Sequence, residues 1–419
     1  MLELATISVF CLLCFALLNL YWGQRVARLY QAHLAQKSHS SYTPSAAVVL
    51  SLRGNDPFLA DCLQGLLNQD YPAYQVKIVV DHIDDPAFAF VTQYLAEHEH
   101  PHCDVSIREV SNGVCGLKNA SLVQAIREVD HDVEVLAWLD ADVIPHRSWL
   151  RELVSPLQDP EVGVASGIRW YAPRHANPGT MVRHAWNTAA MMQMVALDIP
   201  WGGSIALSRE IFTHPQLTNS FSRMLWDDTG LKVIADQLGR RVAFVPATTM
   251  VNRESISFDS CFRYMTRQLV NARYYHPHWW LVAGLGLMTA VAQTALLVLS
   301  VLFMLQGDLT AAASSAGVLL FANGCVAVAI FRISLLVHKT VTARGEHFQR
   351  QPLRTLGYLG ITVYIFAAAL LAAMRTRTID WRGVLYHVPD PFNVQIMHYE
   401  PYRHPEANAS LLELEHVSI

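Results

Sequence analysis

The positions of the apolar segments most constrain how this chain can fold, because they lie near its two ends and leave the middle polar. The N-terminal segment, residues 4–22, approaches the length that an α-helix needs to cross a bilayer. The last third holds three more segments of spanning length, at residues 279–305, 309–331 and 356–374. They explain a hydrophobic fraction of 52%, high for a soluble protein. The sequence therefore predicts membrane helices on both sides of a soluble domain.

The charges around the N-terminal segment predict how it is oriented. Glu3 precedes the segment, whereas Arg25 and Arg28 follow it. A cleaved signal peptide is the alternative, but it would carry positive charge before its apolar stretch, so we favour an uncleaved anchor. The positive-inside rule then places everything after Arg25 in the cytoplasm. We expect an integral, multi-pass membrane protein whose central domain faces the cytoplasm.

The C-terminal region gives two conflicting signals about its membrane crossings. The loop after Phe331 is rich in Arg and Lys, which indicates a cytoplasmic location. One more crossing through residues 356–374 would export the tail, yet Arg375, Arg377 and Arg382 favour keeping it inside. One of these segments is therefore expected to be re-entrant or interfacial, and the sequence leaves open which one.

Between the apolar ends, short β-branched stretches alternate with longer amphipathic ones. This alternation predicts βα units and a mostly parallel sheet. Strands are expected at residues 46–52, 76–80, 105–110 and 133–139, and helices at about 57–68 and 119–129. The predicted division is an anchor (1–30), an α/β domain (44–275), about three membrane segments (276–375) and a tail (376–419).

Two carboxylates directly follow the predicted strand at residues 133–139. Because alternate residues of an extended chain project to one side, Asp140 and Asp142 could share one hard divalent cation, Mg²⁺ or Mn²⁺. Ligands of α/β sheets bind where strands end, so such a cation could hold a diphosphate. The alternative is that both residues cap a turn before Pro145.

Other aspartates lie where further elements are expected to begin or end. Asp81 closes the second strand, and Asp227 and Asp228 precede a helical stretch at residues 231–238. Carboxylates at the C-terminal ends of parallel strands converge on one edge, so a nucleotide-sugar site could use all of them. The alternatives are an acidic turn at Asp81 and helix N-terminal charge stabilisation at the later pair.

Other kinds of site have less support. The net charge is -4, and the basic residues form no aromatic-interleaved stripe, so nucleic acid is not an expected partner. The seven cysteines are scattered, without the spacing of a metal site or a disulfide framework. His98, His100 and His102 alternate, but their stretch is typical of a polar loop, which disfavours a metal site there.

Several blocks, taken together, resemble the family 2 glycosyltransferases with a GT-A fold, and among them the membrane-bound ceramide glucosyltransferase group. In chain order these blocks are residues 51–57 with 70–74, 81–87, 118–120, 140–142, 227–228 and 381–383. The likeness covers nearly the whole chain, and its specificity comes from the order of the blocks. It departs at residues 263–273, where the group usually has Gln or Arg followed by Arg-Trp, and this chain has no Trp.

The resemblance implies an inverting transfer of a hexose from a UDP-sugar to a lipid hydroxyl. It implies that Asp228 is the general base and that Asp227 orients it. It also implies that Asp140 and Asp142 bind Mg²⁺ or Mn²⁺, Asp140 contributing to donor binding too, and that Asp81 reads the nucleotide. The expected partners are the UDP-sugar, a lipid acceptor and the membrane.

The same resemblance gives further contacts. Lys118 would lie near the donor diphosphate, with a surface lysine as the alternative. Arg267 and Gln268 would contact the acceptor or the diphosphate, the alternative being a basic helix at anionic head groups. The small residues of Trp201-Gly202-Gly203-Ser204 would let a sugar or acceptor approach the backbone, and a plain tight turn is the alternative.

Two rival functions remain in view. A polysaccharide-forming family 2 synthase normally has more membrane helices and an intact Gln-x-x-Arg-Trp block. A catalytically inactive membrane scaffold would keep the fold for partner binding, and the retention of every acidic block argues against it. The sequence therefore favours a single-transfer enzyme.

Overall fold

The computed structural model describes residues 2–36, 40–98, 100–109 and 114–402. The strands are β1 (Ala46–Leu52), β2 (Tyr74–Val80), β3 (Cys103–Ile107), β4 (Val135–Leu139), β5 (Val162–Tyr171), β6 (Ser204–Ser208), β7 (Arg241–Asn252), β8 (Thr378–Trp381), β9 (Val384–Asp390) and β10 (Asn393–His398). The helices are α1 (Leu2–Ala35), α2 (Leu59–Leu67), α3 (Pro86–Glu97), α4 (Leu117–Glu128), α5 (Trp149–Val154), α6 (Pro178–Leu197), α7 (Arg209–Phe212), α8 (Pro215–Phe221), α9 (Leu231–Gln237), α10 (Phe258–Tyr275), α11 (Trp279–Leu305), α12 (Leu309–Ala343) and α13 (Pro352–Arg375).

Seven strands of the described chain form one sheet in the order β3-β2-β1-β4-β6-β5-β7. β6 is antiparallel to both of its neighbours, and the other pairings in this sheet are parallel. Leu52 pairs with Val80 and Leu50 pairs with Leu139, so β1, β2 and β4 end at one edge. The predicted α/β domain with a mostly parallel sheet is thereby confirmed.

Apolar side chains cover both faces of this sheet, as the continuous apolar character of β4 indicates. All five residues of β4 are buried. Trp138 packs in the core on one face, and Trp149 of α5 packs in the core on the other. Strands buried on both faces need no polar alternation, which is why the strands could be recognised as short apolar stretches.

The observed elements match the expected ones to within a few residues. β1 matches its expected range, whereas β4 begins at Val135 because Val133 is held in a turn by the Asp130 carbonyl, 3.2 Å from its amide nitrogen. β3 begins earlier than expected because Cys103 already pairs with Val76. Val110, the expected end of that strand, lies outside the described residues.

Four described helices are long and apolar enough to cross a membrane: α1, α11, α12 and α13. The first three pack against one another through a cluster that includes Leu12, Leu296 and Ala322. α1 and α12 continue beyond their expected ends because their last turns contact the α/β domain. Tyr30 of α1, for example, shares a hydrogen bond of 2.7 Å with the Thr249 hydroxyl in β7.

α13 packs along α6 and α10 of the α/β domain as well as against α11. At its start, Gln351 donates a 3.0 Å hydrogen bond to the Pro173 carbonyl. At its end, Arg273 of α10 donates a 2.7 Å hydrogen bond to the Thr376 carbonyl. A helix of 24 residues is about 36 Å long, so the domain contacts both ends of α13 over that distance.

The residues after α13, expected only as a tail, form a second sheet in the order β10-β9-β8. Its strands are antiparallel. Val384, Tyr386 and Val388 of β9 pack into the same core as Trp138. The Leu117 amide at the start of α4 donates to the Tyr386 hydroxyl at 3.4 Å. This second sheet is therefore built onto the domain beside the ends of β1 and β2. Residues 403–419 lie outside the described range.

Candidate functional site

Lys118 is the centre of the acidic site. Its ammonium lies 2.6 Å from Asp140 Oδ1 and 2.9 Å from Asp227 Oδ2, and it donates to the Gly202 carbonyl at 3.0 Å. The side chain is only 13% exposed, so the surface-lysine alternative does not hold. One buried cation thus joins the end of β4, the loop before α9 and the glycine turn before β6.

The neighbouring asparagine explains why a Lys-Asn pair begins α4. Asn119 is fully buried, and its amide nitrogen donates to the carbonyls of Met224 and Trp226 at 3.0 and 3.2 Å. These carbonyls belong to the segment that leads into Asp227 and Asp228. The first turn of α4 therefore holds the second acidic pair in position.

The two members of that pair have different surroundings. Asp227 is 4% exposed, and its Oδ2 also accepts from the indole nitrogen of Trp138 at 2.7 Å. Burial raises the pKa of Asp227 to about 6, although Lys118 opposes this shift. Asp228 is half-buried and accepts from the Gly202 amide at 3.0 Å, from Asn271 Nδ2 at 2.8 Å, and from the Thr229 amide and hydroxyl at 2.5 and 3.1 Å. Of the two carboxylates, that of Asp228 is therefore the more exposed.

Asp140 and Asp142 do project to the same side, as their alternation predicts. Arg169 Nη2 contacts Asp140 Oδ2 at 3.2 Å and the two Asp142 oxygens at 2.9 and 3.1 Å. Burial would raise the pKa of Asp140, but Lys118 and Arg169 outweigh it and hold that pKa below its ordinary value. Burial raises the pKa of Asp142 to about 6. The pair therefore forms an anionic site that two cationic side chains neutralise.

The donor set of Asp140 and Asp142 fits a hard divalent cation. Mg²⁺ is usually bound by one or two carboxylates, with substrate phosphates and water completing its shell. Within the described ranges, no group of three or more His, Cys, Asp and Glu side chains could hold a metal ion. The remaining ligands would therefore have to be phosphate oxygens and water.

The residues of the Trp201–Ser204 turn lie against these carboxylates. A Cβ on Gly202 would lie 3.1 Å from carboxylate oxygens of Asp227 and Asp228. A Cβ on Gly203 would lie 2.1 Å from the Trp201 ring and 2.8 Å from Asp140 Oδ2. Gly203 is thus required by its close approach to Trp201 and Asp140, and Gly202 lies tightly against the second acidic pair.

Asp81 lies at the edge of the site, and both of its carboxylate oxygens already accept hydrogen bonds from other residues of the protein. Arg108 Nε and Nη2 both lie 2.8 Å from Oδ1, and Arg53 and the Tyr399 hydroxyl donate to Oδ2. A carboxylate has about four lone-pair sites, and these four donors occupy them. In this arrangement Asp81 holds Arg53 and Arg108, and direct nucleotide contact would require one donor to move.

Three residues that face this site were not among the predicted site residues. Arg169 stands in the otherwise uncharged strand β5, and a charge in such a strand is a signal that the sequence offers. Asn271 lies on the buried side of α10, where its contact to Asp228 could not be foreseen. Arg382 forms a 2.7 Å ion pair with Asp56.

A cavity of about 270 Å³ connects these groups. Asp140, Asp142, Asp227 and Asp228 line one part of it, and Asp81, Lys118, Arg267 and Gln268 also line it. Apolar side chains of α6, α11 and α13 also line it, namely Trp186, Ala190, Met191, Met194, Val282 and Phe366, together with the polar Arg183, Asn187 and Gln193 of α6. The structure therefore gathers every predicted site residue around one cavity.

Comparison with known proteins gives three similarities. The model of Glycosyl transferase family 21 matches residues 7–391. Glycosyltransferase AglE of Haloferax volcanii is 22% identical over 186 residues, 44% of this chain and 50% of the relative, so the chain spans about half the length of that relative. The mannosyltransferase PcManGT from Pyrobaculum calidifontis, solved with GDP-Man and Mn²⁺, has a TM-score of 0.53 at 19% identity, covering 88% of this chain and 99% of PcManGT.

The structural likeness shows the fold alone, which is that of the GT-A-like glycosyltransferases, and confirms the fold that the sequence blocks implied. Those blocks pointed to family 2, whereas the matching model is that of family 21. Since this model spans most of the chain, from the first predicted membrane helix to the second sheet, the chain belongs to glycosyl transferase family 21.

Proposed function

We propose that this protein is a metal-dependent, inverting hexosyltransferase that moves a sugar from a UDP-sugar to the hydroxyl of a membrane lipid such as ceramide. The observation that carries the proposal is the single cavity that joins the acidic site to an apolar wall. A site for a water-soluble acceptor would have no need of that apolar part.

The apolar part suits a lipid acceptor because of the elements that form it. Ala190 and Met194 come from α6, Val282 from α11 and Phe366 from α13. α11 and α13 are long and apolar enough to lie in a membrane. A lipid hydroxyl could thus reach Asp228 while its tails stay among apolar side chains.

The packing of α13 supports one membrane topology. We infer that α1, α11 and α12 cross the bilayer and that α13 lies along the interface against α6 and α10. This arrangement keeps the second sheet on the same side as the α/β domain, which its contacts to α4 require. It also keeps Arg375, Arg377 and Arg382 on that side, which the positive-inside rule identifies with the cytoplasm.

Each site residue has a physical role in the proposed transfer. Asp228, held by Gly202 and Asn271, takes the proton from the acceptor hydroxyl as the oxygen attacks the anomeric carbon. Asp227 and Lys118 fix the loop that carries this base. Asp140 and Asp142 would hold Mg²⁺ or Mn²⁺, which, when bound, neutralises the donor diphosphate and stabilises the leaving group.

The donor and the acceptor can be identified together. Purified protein in lipid nanodiscs would be incubated with labelled UDP-glucose, UDP-galactose, UDP-N-acetylglucosamine or GDP-mannose, each with ceramide, a hopanoid or diacylglycerol. GDP-mannose is included because PcManGT was solved with it. We expect one UDP-sugar to give a lipid carrying a single sugar by mass spectrometry. A sugar polymer, or transfer to no lipid, would contradict the proposal.

A variant that fills the apolar part tests the acceptor path by itself. Ala190→Trp should abolish transfer to lipid, because the indole occupies space between α6 and the membrane helices, while slow hydrolysis of the donor by water continues. Ala313→Trp is the matched control, since Ala313 lies on an exposed face of α12. Equal lipid transfer by both variants would show that the acceptor takes another route.

A further inference from the structure

All four oxygens of the Asp140–Asp142 pair already accept a contact from a cationic side chain. Lys118 contacts Asp140 Oδ1, and Arg169 Nη2 contacts Asp140 Oδ2 and both oxygens of Asp142. One guanidinium nitrogen thus bridges the two carboxylates. A metal ion bound by both residues would have to approach the same oxygens, and like charges so close repel strongly.

The two cationic side chains are not held equally. Lys118 is also bound by Asp227 and by the Gly202 carbonyl, so its ammonium has partners outside the pair. The other hydrogen bond of the Arg169 guanidinium is a 3.3 Å donation to the Tyr171 hydroxyl. Its Nε is buried and has no hydrogen-bond partner among the described residues. An unsatisfied buried donor is costly, so Arg169 is the cation that can leave.

The surroundings of Arg169 also provide a place for it after it has left the carboxylates. Its guanidinium carbon lies 4.8 Å from the centre of the Trp201 ring, and Trp201 lines the cavity. A guanidinium can slide over an aromatic face while keeping the cation–π attraction. From that face, Nε and Nη2 could contact phosphate oxygens bound in the cavity, and Nε would gain an acceptor.

We propose that Arg169 is a displaceable counter-cation of the Asp140–Asp142 pair. A divalent metal ion must displace Arg169 from these carboxylates, and Arg169 then binds a phosphate of the donor. The proposal rests on the function proposed above. It predicts that metal and donor bind cooperatively. Once the metal has bound Asp140 and Asp142, the donor phosphate supplies the anionic partner that Arg169 has lost. It assigns a positioning role to a residue with no other role in the transfer.

The test is the affinity for Mn²⁺ in the absence of any donor, measured on purified full-length protein by the electron paramagnetic resonance of free Mn²⁺. Arg169→Gln should bind Mn²⁺ about tenfold more tightly than wild type, which corresponds to about 1.4 kcal/mol. Arg183→Gln is the matched control. Arg183 lines the same cavity and stacks on Tyr171, but its hydrogen bond goes to the Glu254 carbonyl. It should stay near the wild-type affinity.

A structural role for Arg169 predicts the opposite result, since a damaged site binds metal less tightly. Unchanged or weaker Mn²⁺ binding by folded Arg169→Gln would overturn the displacement. Arg169→Lys retains the charge with a single ammonium, so its affinity should lie between those of wild type and the Gln variant, and it serves if Arg169→Gln does not fold.

Adding UDP separates this inference from the proposed function. Wild type should gain more Mn²⁺ affinity from UDP than Arg169→Gln does, because only in wild type can the UDP phosphates bind a displaced Arg169. If wild type with UDP binds no Mn²⁺, the metal site itself fails and the displacement fails with it. If Mn²⁺ binds with UDP but the Arg169→Gln variant behaves as wild type, the displacement alone fails.

Discussion

Gly203→Ala is the sharpest test of how closely the glycine turn fits the acidic site. The added Cβ would lie 2.1 Å from the Trp201 ring and 2.8 Å from Asp140 Oδ2. Because carbon atoms pack best at about 3.5 Å, the ring would have to move by about 1.4 Å. The backbone of Gly203 does not have a positive φ, so alanine is hindered by these contacts alone.

The displaced Trp201 ring would disturb Arg169, which stacks on it, and Asp140, which the new methyl group touches. Overpacking of this kind costs about 1–3 kcal/mol, and we expect the melting temperature to fall by several degrees. A misplacement of about 1 Å can reduce catalysis about 100-fold, so transfer should fall by that order. Thermal melting and kcat/KM for lipid transfer measure the two effects.

Two other glycines serve as comparisons. A Cβ on Gly202 would approach only carboxylate oxygens, at 3.1 Å, so Gly202→Ala should cost less. Gly317 in α12 has nothing within 4 Å of its Cβ position, so Gly317→Ala should retain full activity and stability. If Gly203→Ala matched Gly317→Ala in both assays, the close fit inferred for the turn would be wrong.

Three further predictions concern the charged residues. Asp228→Asn should lower kcat about 10²–10⁴-fold with unchanged melting, as measured in purified membranes, because an amide cannot take the acceptor proton. Lys118→Met should lower stability by about 3–5 kcal/mol, because it removes the cation that contacts the buried Asp227 carboxylate. The pKa of Asp227, already about 6 in the folded protein against 3.8 unfolded, should rise further. A raised pKa gives stability that is complete below pH 3.8 and lost as pH rises through the folded pKa. The melting difference between Lys118→Met and wild type should therefore be larger at pH 8 than at pH 5, and an equal difference would refute this account. EDTA should abolish transfer and added Mn²⁺ should restore it, whereas activity that survives EDTA would exclude the metal role of Asp142.

Much of the fold could be predicted because its signals are local. The strand at residues 46–52 and the apolar helix at 279–305 were predicted with the observed bounds, since apolar length and β-branched composition act within one element. Element ends were less accurate because pairing decides them. Cys103 belongs to β3 through its pairing with Val76, which no local pattern reveals.

For the candidate site, the sequence predicted individual residues but not the contacts between them. Asp140 and Asp142 were found because they end a strand, and strand ends converge. That Lys118 joins Asp140 to Asp227 depends on residues more than 100 positions apart along the chain. Arg169 was missed because a lone charge in a strand gives no indication of its partner.

The sequence by itself determined that apolar helices flank an α/β domain and that carboxylates follow its strands in a recognisable order. Hydrophobic periodicity and residue chemistry are properties of short segments, so these features can be recognised from the sequence alone. Only the tertiary structure decided that α13 packs against α6 and α10, that residues 378–398 form a second sheet, and that one arginine bridges the predicted metal ligands. These features depend on contacts between distant segments, whose energies arise only when the chain is folded.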